Sequence, residues 1–242
     1  MTDWLNGLKA EFYLNFIQGD RWKYLWQGLG NTIKITFAAL ILGIVIGVFI
    51  AVIRSTWDKN SAAMKPGAGR FILMLVDRIC RLYLTVIRGT PVVIQLMIIY
   101  YIIFASSNNG VLIAMLAFGI NSGAYVAEII RGGIMSIDPG QFEAGRSLGF
   151  SYVQTMWYII IPQAFKTVLP ALANEFIVLL KETAVSGYVS VMDLTKGGDI
   201  IRGRTYSAFM PLIAVALIYL VLVVFFTWLV GKLERRLRNS DH

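Results

Sequence analysis

Cysteine and histidine are nearly missing from the 242 residues: there is one of each, Cys80 and His242. A single cysteine excludes an intramolecular disulfide and a thiolate metal cluster, and Cys80 reads as a buried thiol. The acidic Glu128, Asp138 and Glu143 are scattered and lack the histidine or cysteine partners that a transition metal favours, so no metal site is expected. The phosphate cradle GxxxxGK followed by Ser or Thr is also absent, as is a nucleophile with its base. No catalytic residue is therefore expected, and no ATP hydrolysis by this chain itself.

Charge is scarce too. Charged residues are 15% of the chain against 57% apolar, and the mean hydropathy is +0.67. Burial of so much apolar surface in one soluble domain would leave too little polar surface, so the chain reads as an integral membrane protein. The net charge of +8 could suggest nucleic acid. Most Lys and Arg fall between or after apolar runs, however, as cytoplasmic loops require, so no nucleic-acid partner is expected. Residues 1–28 lack the short apolar run and small-residue cleavage site of a signal peptide. With Trp4, Phe12, Tyr13, Trp22, Tyr24 and Trp26 they read as an interfacial segment at the membrane surface.

The apolar runs predict an all-α, polytopic membrane protein with five transmembrane helices, near residues 29–53, 81–104, 111–135, 153–180 and 209–230. The first run carries one charge, Lys34, and its Gly43 and Gly47 permit close helix contact. The polar linker from Arg54 to Arg70 holds Arg54, Lys59, Lys65 and Arg70 against Asp58, which places it in the cytoplasm. Asp77, Arg78 and Arg81 interrupt the next run, whose first half is expected along the inner surface. Within that span Arg88-Gly89-Thr90-Pro91 must disturb the helix, because proline lacks a donor and clashes with the preceding turn. The third span carries Asn121, Ser122, Glu128 and Arg131; the last two are spaced i,i+3 and can pair. The fourth contains Pro162, Pro170 and Glu175. The polar stretch Lys181 to Tyr206 is expected outside, and the basic tail Lys232, Arg235, Arg236 and Arg238 inside. Five spans then put the N-terminus outside and the C-terminus in the cytoplasm.

Between the third and fourth spans lies a loop, residues 136–152, compatible with a short helix. Asp138 is a plausible N-cap, Pro139 the first helical residue, and Gln141 completes a capping-box-like start. Phe142, Leu148 and Phe150 fall partly on one side, and Gln141, Glu143 and Arg146 on another. Such a helix can lie along the membrane surface and offer its outer face to a partner.

Glu143, Ala144 and Gly149, followed after nine residues by Ile159 and then Pro162, resemble the cytoplasmic "EAA" loop of ABC importer permeases. Arg88-Gly89-Thr90-Pro91, the run NSGAYVAEIIR from Asn121 to Arg131, and Asn174-Glu175-Phe176 are similar to the polar amino acid branch of that family. The likeness covers roughly residues 28 to 238. Two positions depart from it: Gly145 stands where a second Ala is usual, and Ile161 where Leu commonly precedes the proline. Gly145 would cost about 1 kcal/mol of helix propensity.

The resemblance implies a permease domain over 29–238 in a bacterial plasma (inner) membrane. It also implies that energy comes from a separate ABC ATPase dimer, which holds ATP and Mg while this chain binds no cofactor. Gln141, Glu143, Ala144, Arg146 and Gly149 would form the coupling helix. Further implied partners are a second permease subunit, identical or homologous, an extracytoplasmic substrate-binding protein, an amino acid substrate and membrane lipid.

From the residues themselves, Glu175 is the first candidate for substrate contact, since a carboxylate inside an apolar run needs a cationic partner and an ammonium supplies one. Its alternative is a structural pairing with Lys166, Lys181 or Arg88. Asn121 and Ser122, with Gln95 and Thr90, could add neutral hydrogen bonds along the pathway. Glu128, Arg131 and Arg88 form a gating or ion-pair set. A rival reading is a secondary transporter or channel that uses Glu128, Arg131 and Glu175 as a relay. A third is an assembly subunit with no path of its own.

Overall fold

A computed structural model describes residues 2–62 and 64–239. His242 lies outside the described residues, as does the side chain of Arg238. The described chain is helical, without a strand: α1 Thr2–Phe12, α2 Trp22–Asn60, α3 Ala68–Gly89, α4 Val92–Ile98, α5 Gly110–Met135, α6 Pro139–Ser147, α7 Tyr152–Thr155, α8 Ile161–Glu182, α9 Leu194–Thr205 and α10 Phe209–Asn239. Short π-helical turns follow α1, α4 and α7, and a 3₁₀ segment, Thr183–Val189, follows α8.

Local chemistry sets these ends. Pro66-Gly67 separates α2 from α3, and α3 stops at Gly89 because Thr90, ahead of Pro91, is extended at φ −123° and ψ 146°. At α6 Asp138 accepts from the Gly140 amide at 2.7 Å, with Pro139 as first residue. Gln141 does not close a capping box there; its side chain turns to Gln163, 3.3 Å away. A reciprocal box forms one helix later, where Ser151 and Gln154 cap α7.

Among the described residues three helices are long and apolar enough to cross a membrane, namely Trp22–Asn60, Gly110–Met135 and Phe209–Leu237. A fourth is reached if Ala68–Gly89 and Val92–Ile103, bent at Pro91, count as one broken span. By length and composition the count thus stops short of five. The element missing from it is α8, which carries Lys166, Asn174, Glu175 and two prolines.

Contacts divide the chain into two compact units. One comprises Met1–Ala39, Val92–Phe118 and Ile177–Trp228, the other Leu40–Pro91, Gly119–Phe176 and Leu229–His242. In the first, the stretch expected to be simply polar contains α9. Its Leu194, Gly197, Gly198 and Ile201 repeat at helical spacing and are buried. They pack with Phe16, Leu25 and Val215. Asp193 caps α9 from the Thr195 and Lys196 amides at 3.3 and 3.0 Å, and Thr32 accepts the Leu194 amide at 3.0 Å. Thr205 at the far end donates to Asn15 at 2.8 Å.

In the second unit α2 and α5 meet through glycine. A methyl group on Gly43 would lie 2.9 Å from Ser122 Oγ, and one on Gly123 2.8 Å from Ile46 Cγ2. Gly47 faces Val126 and Gly119 faces Leu42 in the same way. Two small-xxx-small pairs, 43/47 and 119/123, therefore interlock. On α2 the opposite face, Ile41, Val45, Phe49 and Val52, is exposed and apolar, as a lipid-facing surface requires.

Candidate functional site: a buried carboxylate, an ion-pair chain and an exposed helix

The close α2–α5 approach sets Ser122 deep in the second unit, fully buried, where its hydroxyl donates to Glu175 Oε1 at 2.9 Å. Glu175 is itself buried, on α8 five residues after Pro170, which withdraws one backbone donor from that helix. Asn121, next to Ser122 in the chain, is buried as well. A carboxylate held by a serine hydroxyl in an apolar surround can accept an ammonium group. The other two pathway candidates lie on α4 and at the break ahead of it. Thr90 is exposed and donates back to the Val86 carbonyl at 2.8 Å, while Gln95 is buried on α4 in the first unit.

The gating set does come together. Arg131 lies 3.4 Å from Glu128, whose carboxylate also meets Arg88 at 3.9 Å. Arg88 leans over the Tyr125 ring, 5.7 Å from its centre. This trio is one end of a longer alternating chain that sequence reading missed. Arg131 reaches Asp58 at 3.2 Å, Asp58 meets Arg81 at 3.6 Å, Arg81 binds Asp77 at 2.7 Å, and Asp77 faces Arg54 at 3.9 Å. The chain joins the end of α2 to α3 and α5. Arg54/Asp58 and Asp77/Arg81 are both i,i+4 pairs, a spacing that was legible in the sequence.

The loop helix α6 is held from behind. Phe142 stacks on Tyr152, with ring centres 6.5 Å apart and planes 16° apart, and the Lys59 ammonium sits 4.4 Å over the Phe142 ring. A cavity of about 200 Å³ at this seam is lined by Lys59, Asn60, Phe142, Glu143, Arg146 and Tyr152. Burial raises the Tyr152 phenol above its ordinary value. Gly145 is buried: a methyl group there would stand 2.7 Å from Thr155 Cγ2. The departure from the second Ala thus has a packing cause. At the other end Gly149 takes φ +80°, with Gly149 N–H bonded to Arg146 O at 2.9 Å and Phe150 N–H to Gly145 O at 3.0 Å, a Schellman turn. Glu143, Ala144 and Arg146 are all exposed, as are Leu148, at 72%, and Val153 of α7, at 73%.

A family model described as binding-protein-dependent transport system inner membrane component matches residues 43–239. The chain belongs to that family. It is a multi-pass membrane component of such a transport system, and the family does not favour the rival reading as a secondary transporter or channel. Among its relatives is the arginine transport system permease protein ArtQ of Bacillus subtilis strain 168, 35% identical over 221 residues, covering 90% of this chain and 94% of the relative. The glutamine transport system permease protein GlnP of Escherichia coli strain K12 is 32% identical over 230 residues, covering 90% and 97%. The crystal structure of an amino acid ABC transporter with histidines matches at a TM-score of 0.77 and 41% identity, over 88% of this chain and 94% of that one. An inward-facing MetNI methionine ABC transporter shares the fold at a TM-score of 0.75 and 21% identity, over 90% and 98%.

Proposed function

We propose that this inner-membrane component is the permease subunit of an ATP-driven importer for polar amino acids. It spans the membrane five times, with α8 as the fourth span, works beside a second permease copy or homologue, and receives substrate from an extracytoplasmic binding protein. Helix α6 is the coupling helix, docked on a separate ATPase dimer in the cytoplasm, and Glu175 with Ser122 and Asn121 contacts the substrate ammonium. Relatives named for arginine, glutamine and other amino acid transport support the substrate class.

The observation that carries the coupling assignment is the two-sidedness of α6. Phe142 and Gly145 pack its inner side against Tyr152 and Thr155 of α7, whereas Glu143, Ala144 and Arg146 are exposed and Leu148, at its C-terminal end, is 72% exposed. A rigidly backed lever with an exposed apolar and charged face suits a groove on a motor subunit. In vesicles containing this chain, its ATPase and its binding protein, Glu143→Ala is expected to lower amino acid uptake per ATP hydrolysed. Unchanged uptake per ATP would refute the coupling role, and uptake driven by an ion gradient without ATP would refute the importer.

A further inference from the structure

The alternating ion-pair chain passes two places that matter to the proposed mechanism, Asp58 in its middle and Arg88 at one end. One end of α2 seats the coupling helix, through Lys59 on the Phe142 ring at 4.4 Å. The neighbouring residue, Asp58, bonds Arg131 at 3.2 Å, and from there Glu128 leads to Arg88, the residue just ahead of the break at Gly89-Thr90-Pro91. Consecutive residues on one helical turn therefore hold the coupling helix and the broken helix at once.

We propose that Asp58 is a positioning residue for transport: it converts displacement of α6 into displacement of Arg131 and Arg88, and so moves the break in the α3–α4 span. The geometry suits transmission. Asp58 lies at the surface, but its side chain is only 21% exposed and that of Arg131 27%, and the contact is short enough for a charge-assisted hydrogen bond. The links at the two extremes, Arg54 to Asp77 and Arg88 to Glu128, are both 3.9 Å, longer than the 3.2 Å between Asp58 and Arg131. Purely structural bracing would also place charges this way. What separates the two is whether the tie carries motion, and that is measurable.

The inference rests on the reading of α6 as the coupling helix, so the test pairs the two. Vesicles holding the complete complex of this chain, its ATPase and its binding protein are compared for Asp58→Asn, Asp58→Glu, Arg131→Gln and Glu143→Ala. Substrate taken up per ATP hydrolysed is measured, and the melting temperature of each purified complex is recorded beside it. Asp58→Asn and Arg131→Gln are each expected to lower transport per ATP by roughly three- to thirty-fold, with ATPase rate and melting temperature near the unsubstituted values. Asp58→Glu, which keeps the carboxylate, is expected to retain most of the ratio. The Asp58→Asn and Arg131→Gln losses combined in one chain should be less than multiplicative, because both cut the same tie. If Glu143→Ala uncouples and neither Asp58→Asn nor Arg131→Gln does, the positioning role is wrong and the coupling helix stands. A loss that follows melting temperature, with Asp58→Glu no better than Asp58→Asn, also overturns it. If Glu143→Ala leaves the ratio intact, the coupling assignment falls first.

Discussion

At the scale of single residues, the informative positions are those where a general rule and the local contact disagree. Helix propensity favours Ala over Gly at 145 by about 1 kcal/mol, yet the site has no room, since Thr155 lies 2.7 Å from where the methyl would be. Gly145→Ala is therefore expected to destabilise the seat of α6, by about 1–3 kcal/mol for an overpacked contact. Adding Thr155→Ala should recover part of that loss, and a chemical-unfolding series on the two variants tests it: Gly145→Ala alone more stable than the parent would show the seat to be looser than described. Glu175 tests the same principle with charge. If it receives the substrate ammonium, Glu175→Gln removes a charged hydrogen bond worth about 1.5–3 kcal/mol. Half-saturation for uptake should then rise roughly ten- to hundred-fold, with little change in melting temperature. A lowered melting temperature with normal half-saturation would mark Glu175 as structural. The sequence displayed both residues, but propensity and burial cost are averages, and Thr155 and Ser122 come from elsewhere in the chain.

At the scale of elements, the apolar runs announced α2, α5 and α10, and Pro91 announced the break after α3. What stayed hidden was α9, whose charges, Lys196, Asp199, Arg202 and Arg204, outweigh its buried stripe in any average over the segment. Its cap carries a pH signature. Burial pushes the Asp193 carboxyl from its usual 3.8 up to about 6, against the Lys196 and Thr195 amides that favour the ionised form. A folded-state pKa above the unfolded one means that the folded protein holds the proton more tightly. Its contribution is full below about pH 4 and is lost as pH rises through about 6, up to about 3 kcal/mol in all. The detergent-solubilised protein should thus lose stability from this group between pH 4 and 6, and Asp193→Asn, which keeps an acceptor and cannot ionise, should flatten that part of the profile. Thermal midpoints of the two proteins at pH 4, 5, 6 and 7 decide it. Parallel profiles would mean that Asp193 is solvated or neutral throughout. Asp193→Ala, losing the cap altogether, should be lower at every pH by about 1 kcal/mol.

At the scale of the whole molecule, the proposed orientation rests on charge, and the need for a membrane on how little of α10 the chain covers. Only 11% of the apolar window of α10 is buried, against 61% for α5, so α10 needs a lipid or protein surround along most of its length. The proposed arrangement has its basic end, with Lys232, Arg235 and Arg236, in the cytoplasm together with α6, and expects α9 and the N-terminus outside when α8 is counted as a span. Cysteine chemistry suits the test, because the native Cys80 is buried and so shielded from reagents. A thiol reagent that cannot cross membranes should label Tyr206→Cys, a residue 96% exposed beyond the end of α9, in intact cells. Leu148→Cys, on the α6 side, should react only after the membrane is opened, and a partner ATPase bound beforehand should protect it. External labelling of Leu148→Cys would invert the arrangement and remove any route by which a cytoplasmic motor could reach α6. Labelling of both positions only in opened cells would mean that α8 does not cross, that the helix pair around it folds back on the inner side, and that the Glu175 carboxylate lies off the path of the substrate.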